Sequence, residues 1–149
     1  MKFPELEGSN LEKKLFNLPN DLQGRLNIII IAFKRTQQSD IDEWRFYLSE
    51  KIQEEDDIHI YEIPTLSYSY RFMRFMIDGG MRSGIPDREI RDHTITLYLN
   101  KNSFKKALDI KSEDKIHLLL LDNEGNIFWR DKGKFYDKKM KELLKTLHS

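Results

Sequence analysis

Apolar residues fall in short blocks separated by polar turns, and the densest block carries Ile28, Ile29, Ile30 and Ile31 in a row. A β-branched run without alternation suits a strand buried on both faces, so residues 26–33 read as the central strand of a sheet. The polar stretch 34–40 that follows leads into a helix. Ile41, Trp44, Leu48 and Ile52 recur at helical spacing with Tyr47 beside them, Ser39 or Asp40 stands at the cap, and Asp42 and Glu43 fall in the first turn. In an α/β protein the loop after a central strand is where working residues gather.

The remaining blocks supply further elements. Residues 3–6 and 15–18 read as two short strands around the turn Gly8-Ser9-Asn10. Residues 58–63 form a second strand stopped by Pro64, after an acidic run at 54–57 expected to be a solvated loop. Phe72, Met73, Phe75, Met76 and Ile77 predict an apolar core helix stopped by Gly79-Gly80. Residues 81–93 are a polar connection, residues 94–99 alternate as a strand, and Asn102 or Ser103 caps a short helix carrying Phe104, Ala107 and Leu108. Residues 116–121 form a buried strand, and Gly125 is the expected left-handed residue of the turn at 122–126. Residues 127–130 return antiparallel, and Met140, Leu143, Leu144 and Leu147 line one face of a final helix.

This order predicts an α/β fold: a β-α-β unit with parallel strands, a mixed sheet completed by a closing hairpin, helices on both faces, and a strand hairpin at the N-terminus. The central strand is expected to have parallel neighbours at residues 58–63 and at either 94–99 or 116–121. A chain of 149 residues makes one domain, 1–149, able to bury roughly two-thirds of its unfolded surface.

Composition narrows the function classes. The 25 basic and 25 acidic residues balance, which argues against a general nucleic-acid or membrane-surface binder. No run approaches the ~18 apolar residues of a membrane span. Residues 1–10 lack the apolar core of a signal peptide, so a cytoplasmic location is expected. The chain has no cysteine, which removes disulfides, thiolate metal sites and thiol catalysis together.

The leader FPELEGSNLEKKLFNLPNDLQG before NIIIIAF, then TITLYLNKNSFKKALDI and IHLLLLDNEGNIFWRDKG, resembles the thioredoxin-like fold in its peroxiredoxin and membrane-anchored thioredoxin branch. The resemblance runs from Phe3 to about Leu147 and implies a three-layer thioredoxin-like architecture. In that branch the loop after the central strand carries the redox cysteine at a helix N-terminus, where dipole and donors stabilise the thiolate. Here the loop offers Thr36, Gln37, Gln38 and Ser39, and neither hydroxyl has a recognisable base partner. The family's cis-proline position falls at or near Ile116, where there is no proline. The resemblance therefore implies a redox-inactive scaffold. A narrower one, carried by GGMRSGIP and IHLLLLDNEGNIFWRDKG, is to the mitochondrial ATP synthase assembly-factor family, whose thioredoxin-like members are thought to chaperone a membrane subunit. This chain departs from it in lacking an organelle-targeting leader.

Candidate chemistry is sparse. His59, His93, His117 and His148 are scattered without ligand spacing, so neither a metal site nor a cofactor is expected. No carboxylate pair is placed for acid/base work, and Gly79-Gly80 lacks a phosphate-loop pattern. Arginine is the unusual feature. Between Lys51 and Lys101 there is no lysine, yet five of the nine arginines lie there. The reading takes Arg35, Gln37, Gln38, Ser39, Arg82, Arg88 and Arg91 as contacts for a protein partner, in a binding or assembly protein of chaperone type. The alternative is an enzyme or small-molecule binder holding an anionic ligand through the arginine forks. Asp78, Asp87, Glu89 and Asp92 lie among those arginines, so internal ion pairing is the structural alternative to a site.

Overall fold

Leu26–Ala32 (β3) lies in the interior of the sheet, and Ile28, Ile29, Ile30 and Ile31 are each fully buried, as an apolar run without alternation requires. The computed structural model describes residues 1–53 and 55–149; of the acidic run at 54–57, residue 54 lies outside the described residues. Among the described residues the strands are β1 (Leu6–Asn10), β2 (Leu15–Leu18), β3, β4 (Ile58–Ser67), β5 (Ile95–Leu99), β6 (His117–Leu121) and β7 (Ile127–Lys132). They make one sheet in the order β2-β1-β5-β4-β3-β6-β7. β3 pairs parallel with β4, and β4 parallel with β5. The pairs β1–β2, β1–β5, β3–β6 and β6–β7 are antiparallel. The expected second parallel neighbour of β3 is therefore corrected: β6 flanks it antiparallel, and β5 sits one strand away, beyond β4.

The helices are α1 (Gln38–Ile52), α2 (Arg74–Gly84), α3 (Arg88–Asp92), α4 (Lys101–Ala107) and α5 (Asp137–Leu147). Ile28, Ile30, Leu118 and Leu120 pack against Trp44 and Leu48 of α1 and Met140 and Leu143 of α5. The opposite faces of the same strands, through Ile29, Ile31, Leu119 and Leu121, meet Phe104 of α4, Leu108, and Phe3, Phe16 and Leu18 of the N-terminal segment. Helices on both sides of a mixed sheet give three layers. Trp44 fastens two of them, donating its indole N–H to the Gly133 carbonyl at 2.9 Å. Gly125 has φ of 91°, the left-handed turn position its place predicts.

Several local expectations are corrected. Gly8, Ser9 and Asn10 are not a turn but the end of β1; a Cβ on Gly8 would lie 2.7 Å from side-chain atoms of Ile95 and Leu97, so glycine allows β1 to cross close to β5. The chain reverses at residues 11–14, where the Asn10 carboxamide oxygen accepts from the Glu12 and Lys14 N–H groups. Pro64 does not stop β4. It pairs with Ala32 at the end of the β3 ladder, and the β5 ladder begins at Thr65, so its missing N–H falls where β4 changes partner. Neither Ser39 nor Asp40 caps α1: a 3-10 turn, Arg35–Gln37, precedes it. Asn100, not Asn102 or Ser103, caps α4, its side chain accepting from Ser103 N–H at 3.0 Å.

The largest correction concerns α2. It runs through Gly79-Gly80 without a break and contains no buried residue. The expected core helix is a surface helix.

Candidate functional site

The loop at the carboxyl end of β3 is held shut by Gln37. Its carboxamide oxygen accepts from Phe33 N–H at 2.9 Å and Lys34 N–H at 3.2 Å, and its amide donates to the Glu113 carbonyl at 2.6 Å. Gln37 is 4% exposed, so this predicted contact residue is a buried clamp between the loop and the segment entering β6. Arg35, Gln38 and Ser39 stand on the surface beside it, with Gln38 donating to Asp42 across one helical turn. Lys34 pairs with Asp114 at 2.7 Å, and Glu113 accepts from Lys101 and Lys105, which hold its carboxyl below the ordinary range. Among the described residues no side-chain hydrogen bond activates Thr36 or Ser39 as a nucleophile.

The arginines of the middle segment lie elsewhere. Arg91 donates from Nε to Glu12 Oε1 at 2.7 Å, and Arg82 reaches Glu12 Oε2 at 3.2 Å. Arg91 also donates to the Ile85 and Pro86 carbonyls, closing the turn between α2 and α3. The anion that Arg82 and Arg91 accept is thus intramolecular, and Arg91 first, then Arg82, keeps the Glu12 carboxyl low. Arg88 faces Asp92 at 4.0 Å on the surface of α3. Glu12 follows β1, whose Asn10 pairs with Ile95 at the start of β5. The cluster therefore sits beside the amino end of β5, two strands along the sheet from β3, whose carboxyl end carries the loop at residues 34–39. The structure does not bring Arg82, Arg88 and Arg91 together with Arg35, Gln37, Gln38 and Ser39.

Two of the histidines are not scattered. His59 Nδ1 and His93 Nε2 are 2.9 Å apart with their rings stacked, and His93 Nδ1 lies 2.9 Å from the Glu89 carbonyl. A carbonyl only accepts, so His93 carries its proton on Nδ1, His59 donates through Nδ1, and the bare His59 Nε2 faces Asp57 at 3.8 Å. Burial, then the neighbouring His93, pushes the His59 pKa down, and burial pushes His117 down too. A histidine depressed in the folded state stabilises fully above its unfolded pKa of about 6.5, and that stability is lost as pH falls through the folded value. Glu62, raised by burial against the opposing Arg45, works the other way. The urea midpoint of the wild type should fall between about pH 7 and pH 5.5, and His59→Gln should flatten that fall. Equal slopes for the two proteins would show that His59 does not titrate with folding.

The feature that sequence reasoning missed is the outer face of α2. Asp78 turns toward the sheet and accepts from Tyr98 Oη at 2.7 Å and Thr96 Oγ1 at 3.1 Å. Burial and this contact together raise the Tyr98 pKa. The Arg74 guanidinium lies 4.8 Å from the Tyr98 ring centroid, and Arg82 reaches Glu12. Its inner side is mixed, with Ile77 and Met81 half-buried beside Arg74 and Asp78. Its outer side faces water: Phe75 is 83% exposed and Met76 71%, and in the 3-10 turn just before the helix Phe72 is 80% exposed and Tyr68 and Tyr70 about half. Further along this face Gly79, Gly80 and Gly84 have nothing near the place of a Cβ. The signal was present in the sequence. Phe72, Phe75 and Met76 form one stripe, and Arg71, Arg74, Asp78 and Arg82 a second beside it.

The sheet order, the β-α-β unit and the layer arrangement define a thioredoxin-like fold, in a chain that has no cysteine. Comparison with solved structures agrees. The chain is similar to a pneumococcal exposed lipoprotein thioredoxin of Streptococcus pneumoniae, with TM-score 0.63 and 11% identity over 95% of this chain and 98% of that one. It is also similar to a thiol-disulfide oxidoreductase of Bacteroides fragilis, with TM-score 0.60 and 13% identity over 99% of both chains. The thioredoxin domain of a thiol-disulfide oxidoreductase of Bacteroides vulgatus matches at TM-score 0.63 and 17% identity, over 97% of this chain and 94% of that domain. No protein-family model matches the chain, and no curated protein matches it in sequence. Among the described residues no helix is long and apolar enough to cross a membrane, and no group of three ligating side chains could hold a metal ion.

Proposed function

We propose that this protein is a non-catalytic binding or assembly factor of chaperone type, which uses a thioredoxin-like scaffold to present the outer face of α2 to a protein partner. One observation carries the reading: α2 is fastened from one side, by Asp78 and Arg82 together with the half-buried Ile77 and Met81, and it exposes Phe75 and Met76 with Phe72 of the turn before it. With Tyr68 and Tyr70, and scaled by their exposure, these side chains amount to roughly 500–840 Å², from the 150–250 Å² an aromatic side chain can bury. That overlaps the upper end of the 300–600 Å² or so of the largest patch on a typical monomer and extends past it. Exposed apolar surface is unfavourable in water and marks an interaction site. GGMRSGIP, one of the two stretches that carry the assembly-factor resemblance, supplies the bare half of this face, although no protein-family model bears that resemblance out. The anion-binding reading is weaker, because Glu12 already neutralises Arg82 and Arg91.

The test is site-specific photocrosslinking in the source cell. A photoreactive residue at position 75 should capture a discrete partner, and the same residue at Phe46, an exposed aromatic on α1, should not. Equal capture at both positions would refute a role for α2. A parallel assay addresses chemistry: with no thiolate to attack a disulfide or peroxide, the purified protein should consume no thiol reductant above the buffer blank. Catalytic consumption would sink the non-catalytic reading.

A further inference from the structure

The apolar face of α2 is bordered by cations whose counter-charge is absent. Lys13 is held at φ of 67° in the turn after β1 and places its ammonium 5.6 Å from the Phe75 ring centroid. Arg71 lies 4.0 Å from the centroid of Tyr68 and donates to the Tyr68 carbonyl. Arg74 reaches over Tyr98, and its Nε–H is buried without a partner. Among the described residues none of these three cations is within ion-pair distance of a carboxylate. The acid on the same helix, Asp78, is turned inward and occupied by Tyr98 and Thr96, and Glu12 is occupied by Arg82 and Arg91. The surface is therefore apolar at its centre and positive at its edge.

Its shape is equally uneven. The N-terminal half carries Phe75 and Met76, extended by Phe72 in the turn before it; the C-terminal half of the outer face is Gly79, Gly80, Ser83 and Gly84, with open space above the glycines. Bulky anchors followed by a bare strip suit a rod laid along the helix. Its side chains meet the anchors, while its backbone comes close over the glycines, at the short end of the 8–10 Å or so between packed helix axes. A lipid surface gains little from three glycines, because they bury no apolar area. A second copy of this chain would bring the same cations to the same patch, and like charges repel.

Building on the reading of α2 as a protein-binding face, we infer that its occupant is an amphipathic α-helix of a partner protein with acidic residues flanking its apolar stripe. α2 is 11 residues long, about 16 Å, so the bound segment is three to four turns with anchors spaced i, i+3, i+4 and i+7. Apolar contact with Phe72, Phe75 and Met76 holds the segment. The carboxylates set its register against Lys13 and Arg71, so the partner's charge is read by this edge.

The experiment is a displayed library of helical peptides about 16 residues long, with leucine fixed at i, i+3, i+4 and i+7 and flanking positions randomised among Glu, Gln and Lys, selected on the full-length protein. Selection should favour Glu over Lys at the flanks by about tenfold, as two or three exposed charge contacts allow. The Lys13→Glu/Arg71→Glu double variant should reverse that preference. Gly80→Leu meets nothing in the free protein, so it should keep thermal stability yet weaken the best peptide tenfold or more. Enriched peptides with no acidic preference, or a preference unchanged in the double variant, overturn the inference and leave the α2 binding face standing. No enrichment over the Phe75→Asp/Met76→Asp variant overturns both. Binding to phosphatidylcholine–phosphatidylglycerol vesicles with no peptide selected assigns the face to lipid and overturns the helix occupant.

Discussion

Phe75→Asp combined with Met76→Asp should abolish partner binding through α2 while leaving the fold intact. Both side chains stand in water and contribute little to the core, so thermal or urea unfolding should move by no more than about 0.5 kcal/mol. Aromatic and large apolar anchors at the centre of an interface cost about 2 kcal/mol or more each when lost, and a carboxylate forced into that centre adds its desolvation. A hundredfold or larger loss of affinity is expected, measured on the captured partner or the best selected peptide. If the double variant binds as tightly as the wild type, the exposed face of α2 is not the contact surface. A variant that unfolds would instead show that these residues pack in a way their 83% and 71% exposure excludes.

Gln37→Leu is expected to have the larger effect on stability, although it removes no charge and conserves most of the volume. Leucine leaves the N–H groups of Phe33 and Lys34 and the carbonyl of Glu113 without their partner. An unsatisfied buried polar group costs about 1–3 kcal/mol, so a total near 3 kcal/mol is expected where the three are only partly dry. For a domain of this size that corresponds to a fall in Tm of roughly 6–12 °C. Gln38→Ala and Ser39→Ala, on exposed positions of the same loop, should each stay within about 0.5 kcal/mol. A Gln37 variant as stable as these two would mean that water reaches the freed groups.

The contrast among Gln37, Gln38 and Ser39 shows where sequence reasoning stops. Their polarity and their place after the central strand suggested three contact residues. Which one points inward depends on the segment at residues 112–116, about 76 positions away, whose Glu113 carbonyl receives the Gln37 amide. The arginines teach the same lesson. Nearby acids were the obvious partners for Arg82 and Arg91, yet both use Glu12, 70 and 79 residues earlier. His59 and His93 have no meaningful spacing along the chain; they meet because β4 and the end of α3 lie side by side.

What the amino-acid sequence determined by itself is the set of elements whose cause is local. Four isoleucines in a row can be satisfied only between two apolar layers, so β3 had to be interior. Gly125 had to take the left-handed turn that ends in β7, and a chain without cysteine could carry no thiol chemistry. For α2 the sequence determined two stripes about a third of a turn apart, one of Phe72, Phe75 and Met76 and one of Arg74, Asp78 and Arg82. It did not determine which stripe faces in. Hydrophobicity alone favours burying the aromatic stripe, but the sheet surface beneath α2 offers Thr96 and Tyr98 hydroxyls, and the turn after β1 offers Glu12. Buried hydroxyls need partners, and Asp78 is the group that supplies one. Only the tertiary structure placed those hydroxyls under α2, and in doing so it turned a predicted core helix into the exposed face on which the proposed function rests.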